Sequence, residues 1–209
     1  MANSCTFKLE QNYSGPVCGL DEAGRGPLAG PVTAACVYIP PELRDESFWR
    51  NVTDSKKLSA KKRDALFDLI ISNSHYGIAE ASVVEIDQIN ILQASLLAMA
   101  RSLETMVSKF GVDPQAALVD GNQKPHLPCT IQTVVKGDST SISIAAASIL
   151  AKVTRDRVME DLCSHFPMYG WNRNAGYGTA EHLAALRKFG VTNHHRRTFA
   201  PIKNTLFGT

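Results

Sequence analysis

The chain has no surplus of either charge. Its 209 residues carry 22 Lys plus Arg against 20 Asp plus Glu, a formal net charge of +2. No overall basic field announces a polyanionic partner, so any such surface must come from local clustering. Cysteines are few, odd in number and scattered, at Cys5, Cys18, Cys36, Cys129 and Cys163, with no C-x-x-C pair. That pattern excludes a zinc framework or a paired disulfide scaffold and reads as reduced thiols in a cytoplasmic protein. Apolar runs are too short to span a bilayer, and Met1–Cys5 has no signal-like core, so no membrane contact is expected. Internal repeats, low-complexity tracts and long linkers are lacking as well. With 44% hydrophobic and 20% charged residues, the composition suits an ordinary buried core. Residues 1–209 read as one domain, with a C-terminal appendage over about residues 165–209.

What the sequence does have is concentrated near its start. Gly19-Leu20-Asp21-Glu22-Ala23-Gly24-Arg25-Gly26 follows directly on Pro16-Val17-Cys18. In an extended segment Asp21 and Glu22 point to opposite faces of a sheet. To share one site the chain must bend there, and Gly24 and Gly26 permit the bend. Glycine also lets backbone approach a ligand closely, with N–H groups free to donate. Arg25 between them offers charge to a phosphate.

The patterning predicts alternating strands and helices. Val17–Leu20 and Val32–Ile39 read as strands, Ser59 caps a helix to Ile71 with Leu66, Leu69 and Ile70 inward, and Tyr76–Val84 forms a third strand. Asp87 is the expected cap of a long helix to about Phe110, with Ala94, Ser95, Ala98, Met99 and Leu103 on its inner face. Short buried strands are expected at Ala116–Val119 and Ile131–Val135, and helices at Ser141–His165 and Thr179–Phe189. Interleaved strands and helices argue for an α/β fold around a mixed sheet.

Asp120 and Asp138 each follow an apolar strand and sit beside glycine. In open α/β sheets, functional groups gather at strand ends. Asp21, Glu22, Asp120 and Asp138 together would form a cluster that cannot stay ionised without a counter-charge. Mg²⁺ is a usual answer, since it takes oxygen ligands and is often completed by a substrate phosphate. Two such ions, roughly 3.5–4 Å apart, activate water and stabilise the leaving oxygen of a phosphodiester. Taken alone, Asp120 or Asp138 is more simply a turn former or cap, and Asp138 before Ser139 suits a cap. The helix after it presents Ser141, Ala145, Ser148, Lys152 and Arg155 on one side, a face for phosphates or merely a solvated one. Tyr177, flanked by Gly176 and Gly178, either stacks on a sugar or base or anchors a turn. Lys56-Lys57, Lys61-Lys62-Arg63 and His194-His195-Arg196-Arg197 suit phosphate contacts, although such runs are often only solvated surface.

These motifs, in this order, resemble bacterial ribonuclease HII, the type 2 ribonuclease H family. The likeness runs from Gly19 to about Pro201 and includes Leu28-Ala29-Gly30-Pro31-Val32, Asp54-Ser55-Lys56-Lys57-Leu58 and Ala147 to Val153. The sister family, ribonuclease HIII, has a lysine where Arg25 stands. The resemblance implies an RNase H-like fold, a central mixed β-sheet flanked by helices with a small helical C-terminal part. It implies that Asp21, Glu22, Asp120 and Asp138 are catalytic and hold two divalent ions, Mg²⁺ or Mn²⁺. Gly24, Arg25, Gly26 and Tyr177 would recognise the ribonucleotide and the deoxyribose beside it, with Lys56, Ser148 and Lys152 as further substrate contacts. The implied activity cleaves RNA in RNA/DNA hybrids and nicks duplex DNA 5′ of an embedded ribonucleotide, leaving 3′-hydroxyl and 5′-phosphate ends. A monomer is expected. The tail Asn204–Gly208, with its Leu-Phe pair, loosely resembles peptides that bind the sliding clamp, though without their glutamine. Two rival readings need different features. A binding module without catalysis would need a broken carboxylate set, and a transposase-like nuclease would be indifferent to the sugar.

Overall fold

The computed structural model describes residues 5–207. Three strands, β1 (Val17–Ala23), β2 (Val32–Tyr38) and β3 (His75–Ala81), form an antiparallel meander. β4 (Ala116–Asp120) and β5 (Thr130–Val134) then add in parallel on the other side of β1, giving the order β3-β2-β1-β4-β5. β1 is central, and Val17-Cys18-Gly19-Leu20 is buried throughout, as a strand covered on both faces must be. Six helices flank or extend the sheet: α1 (Ala60–Ser72), α2 (Val83–Phe110), α3 (Ile142–His165), α4 (Trp171–Asn174), α5 (Ala180–Phe189) and α6 (Ala200–Phe207).

α3 and α1 pack on one face of the sheet through Ile142, Ala145, Ile149, Leu66 and Ile70. The first half of α3 is buried all round, so it needs small residues rather than an apolar stripe. Gly19 belongs to the same close approach, because a Cβ there would run into the backbone of Ser143 and Ile144. On the opposite face α2 sets Ala94, Ala98, Met99, Leu103 and Met106 against Leu20, Ala34 and Cys36. By length and composition α2 would pass for a membrane span, contrary to the sequence expectation, but it lies along the sheet. Leu28, Ala29, Met159, Trp171, Leu186 and Ile202 form a separate core where the C-terminal helices meet the turn after β1. All five cysteines are free.

The caps of α2 and α3 are both serines. Ser82, not Asp87, begins α2: its hydroxyl accepts from the Glu85 N–H at 3.3 Å, and Glu85 Oε2 accepts the Ser82 N–H at 2.8 Å. β3 accordingly stops at Ala81 instead of running to Val84. Asp87 receives the Arg197 and Thr198 N–H groups at 3.0 Å and ties the C-terminal segment to α2. Asn90 interrupts the helix at φ 66° and restarts it by accepting from the Leu92 and Gln93 N–H groups. Likewise Ser141, not Asp138, caps α3, accepting the Ile144 N–H at 3.2 Å. On α1 the expected cap Ser59 holds, but Leu69 is largely exposed while Leu66 and Ile70 face the core.

Candidate active site

β1 lies between an antiparallel and a parallel neighbour, so the ends of β1 and β4 sit side by side. Leu20 pairs with Val119, which places Asp21 next to Asp120. Asp138 arrives from the short turn Gly137–Ser139 after β5. That turn is fastened to β4, since Asp120 Oδ1 accepts the Gly137 N–H at 2.7 Å. One oxygen each of Asp21, Asp120 and Asp138 lies within 4.8 Å of the other two. Glu22 stands beside this trio and pairs with Arg25, Oε1 to Nη1 3.3 Å. The turn and cap readings of Asp120 and Asp138 therefore do not describe their side chains, which converge.

The site is electrostatically unfinished. Burial, then the charges of Glu22 and Asp120, hold the Asp21 carboxyl well above the usual carboxylate range. Asp138 is raised by burial, by Asp120 and by a hydrogen bond with Asp54. Glu22 is raised by burial despite Arg25. Burial alone would lower the Lys56 ammonium, but Asp21, Asp54, Asp138 and Asp120 together outweigh it and raise its pKa. The donors are all hard oxygens, the set a divalent cation such as Mg²⁺ prefers. Two oxygens on one ion at roughly 2.1 Å are at most about 4.2 Å apart, so a small rotation of the side chains suffices. The residues fit the group.

Asp21, Glu22, Gly24, Arg25, Gly26, Lys56, Lys152 and Tyr177 line one open cleft of about 350 Å³. Tyr177 is half exposed, and a Cβ on Gly26 would sit 3.2 Å from its ring. Its backbone is held from behind: His182 Nδ1–H donates to the Tyr177 carbonyl at 2.9 Å, and His182 Nε2 accepts from Trp171 Nε1 and from His195, both at 3.1 Å. Burial and then His182 push His195 down to about 3, keeping this relay neutral. Lys152 donates to Asp156 at 2.6 Å. Ser148 does not reach the cleft. Its buried hydroxyl accepts the Ser55 N–H at 3.3 Å and so supports the loop bearing Lys56.

Arg155, His195 and Arg196, expected among phosphate contacts, are buried and bonded within the protein. Arg63 also turns inward and donates to the Ser55 and Leu58 carbonyls. Sequence reasoning gave Asp54 no part beside Asp138 and left Arg155 on a polar face. A signal for Arg155 was present: it stands four residues from Ala151 and from Met159, both buried, in the middle of a core-facing row.

A five-stranded mixed sheet flanked by helices, with carboxylates gathered at the ends of β1 and β4, is the architecture of the RNase H-like nucleases. The model of the family described as Ribonuclease HII matches residues 18–202. The ribonuclease HII of Paramagnetospirillum magneticum is 53% identical over 93% of this chain and 94% of its own length. Among solved structures, ribonuclease H2 from Pyrococcus horikoshii superposes with a TM-score of 0.74 at 27% identity, covering 91% of this chain and 96% of that one. The chain of the PCNA:RNase HII complex from Archaeoglobus fulgidus gives 0.71 at 25% identity, covering 88% and 95%. The chain belongs to the ribonuclease HII family and is an RNase H endonuclease.

Proposed function

We propose that this enzyme nicks duplex DNA on the 5′ side of an embedded ribonucleotide as well as cutting the RNA strand of hybrids, leaving 3′-hydroxyl and 5′-phosphate ends. The observation that carries this reading is that Asp21, whose carboxylate meets those of Asp120 and Asp138, lines the same cleft as Glu22, the Gly24–Gly26 turn and Tyr177. Asp21, Glu22, Asp120 and Asp138 would hold two Mg²⁺ or Mn²⁺ ions, which would supply activation of water and stabilisation of the leaving oxygen. The remaining work falls to the chain. Lys56 and Lys152, which line the cleft, meet substrate phosphates, and Arg25 is shared between Glu22 and the backbone anion. Base edges carry no information about the sugar, so selection rests on the 2′-oxygen, met by the turn's backbone, and on the Tyr177 ring against the neighbouring deoxyribose.

The test is a labelled duplex containing one ribonucleotide beside an all-DNA control, in Mg²⁺ and in Mn²⁺. A metal-dependent nick 5′ of the ribonucleotide and none in the control is expected. Cutting of both duplexes would discard the sugar reading, and cutting of neither by protein that binds them would favour a binding module. The free thiols suit a reducing compartment such as the cytoplasm. The relative solved with PCNA supports a clamp contact, for which the C-terminal tail is the segment we assign. In that tail Leu206 is exposed, while Gly208 lies outside the described residues. Deleting residues 203–209 should then abolish clamp binding and leave nicking of free duplex intact.

A further inference from the structure

Two arginines lie beneath the Gly24–Gly26 turn without a carboxylate. Arg155, from α3, is 1% exposed and Arg196, ahead of α6, is 0% exposed. Among the described residues neither forms an ion pair. Every hydrogen bond they make goes to a backbone carbonyl. Arg196 donates through Nη2 to Gly24 at 2.6 Å and Pro31 at 3.1 Å, through Nη1 to Arg25 at 2.9 Å and through Nε to Gly30 at 3.0 Å. Arg155 donates at 3.0 Å to Pro31, Ala175 and Ala29. Burial and then the Arg155 charge push Arg196 down to about 9, so it is still cationic at neutral pH. A buried cation without a counter-ion is costly, and turns are ordinarily held without one. The choice of carbonyls suggests what the cation does here.

The Gly24 carbonyl shares a peptide plane with the Arg25 N–H, and the Arg25 carbonyl with the Gly26 N–H. In a trans peptide the C=O and N–H point in opposite directions, and the described chain has no cis bond. Arg196 grips both carbonyls from the buried side, so both N–H groups face away from it. Arg25 and Gly26 are exposed there and line the cleft, and among the described residues neither N–H has a protein acceptor. A guanidinium on the carbonyl also polarises the peptide and strengthens the N–H as a donor. Gly24 is needed for the same contact: its φ is +98°, and a Cβ would collide with the Arg155 side chain. Arg155 bonds Ala175 as well, which braces the turn against the segment that carries Tyr177.

We propose that Arg196 is the positioning residue for sugar recognition, its fork fixing and polarising the Arg25 and Gly26 N–H groups as donors to the ribose 2′-oxygen. This rests on the reading that the turn meets the 2′-oxygen, and the experiment separates the two. Dissociation constants are measured for a duplex with one ribonucleotide and for the all-DNA duplex, in Ca²⁺, on the native protein, R196K and R155K, with thermal unfolding as the check of folding. R196K keeps the charge but cannot hold two carbonyls in one plane. It should lose at least tenfold of the preference for the ribonucleotide duplex, with all-DNA binding within twofold of native, while R155K keeps most of the preference. A folded R196K with native preference overturns the proposal. A native protein without preference overturns the underlying reading of the turn. If R196K does not fold, amide spectra of the native protein decide: the Arg25 and Gly26 signals should shift with the ribonucleotide duplex only. Equal shifts with both duplexes overturn the reading of the turn, and the proposal with it.

Discussion

The carboxylates at the ends of β1 and β4 and the two guanidiniums under the adjoining turn pose one electrostatic problem with opposite signs. Both regions crowd like charges into a poorly solvated space. The arginines are satisfied within the chain by seven hydrogen bonds to carbonyl dipoles. Among the described residues the acids accept just two backbone N–H groups, from Glu22 to Asp21 and from Gly137 to Asp120. Compensation built from backbone is permanent, and it makes the turn rigid. Compensation left to protons or cations is conditional, and it makes the acid cluster responsive to metal and pH. A metal-dependent hydrolase needs both: a responsive site for the ions and a rigid gauge for the substrate.

Neutralising one member of each region should break the comparison most sharply. Asp21→Asn removes a negative ligand, and turnover on a hybrid should fall by about a thousandfold or more, on the order of 4 kcal/mol in the barrier. Arg196→Ala should act on the fold instead, costing roughly 3–5 kcal/mol in chemical unfolding because carbonyls lose their partners and Arg155 stays buried. Equal stability of Arg196→Ala and native protein would show that the carbonyl cage contributes nothing.

Metal should stabilise the acidic region alone. At a free Mg²⁺ or Mn²⁺ concentration of 100 times Kd, unfolding should become harder by about 2.7 kcal/mol, and Asp21→Asn should gain less. For pH the sign runs opposite to the common carboxylate case. The folded pKa of Asp21 is raised, so its contribution to stability is full below the ordinary carboxylate range and is lost as pH rises through the raised value. The metal-free native protein should therefore lose stability relative to Asp21→Asn on going from acid to neutral pH, and added divalent ion should erase the difference. A pH-independent difference between the two would mean that neither burial nor the neighbouring acids raise the Asp21 carboxyl. The smallest effect is local: Ser82→Ala removes the cap of α2 and should cost about 1 kcal/mol with turnover unchanged.

How much was legible from sequence depended on the range of the forces involved. Asp21, Glu22, Asp120 and Asp138 were legible because strand ends beside glycine announce themselves in a few residues. Ser59 was legible as a cap for the same reason. The start of α3 at Ser141 was legible too, but Ser82 against Asp87 was not, because the choice depended on where the sheet directed the entering chain. Asp87 was then free to hold Arg197 and Thr198, and Asp138 to join the acids. Arg155 and Ser148 share a helical face with Lys152, but crossing against β1 and the Ser55 loop buries the first two and leaves Lys152 in the cleft.

By itself the sequence determined the α/β alternation, the order of the strands along the chain and the chemistry of its acids, because hydrophobic period, turn residues and side-chain type are local properties. Tertiary structure decided which charges are exposed and which are enclosed. It turned Arg155 and Arg196 from surface cations into braces for backbone, and brought residues 24 and 196 within 2.6 Å. The physical reason is that the desolvation of a charge, and the partner that offsets it, depend on neighbours distant in sequence, which no local pattern records.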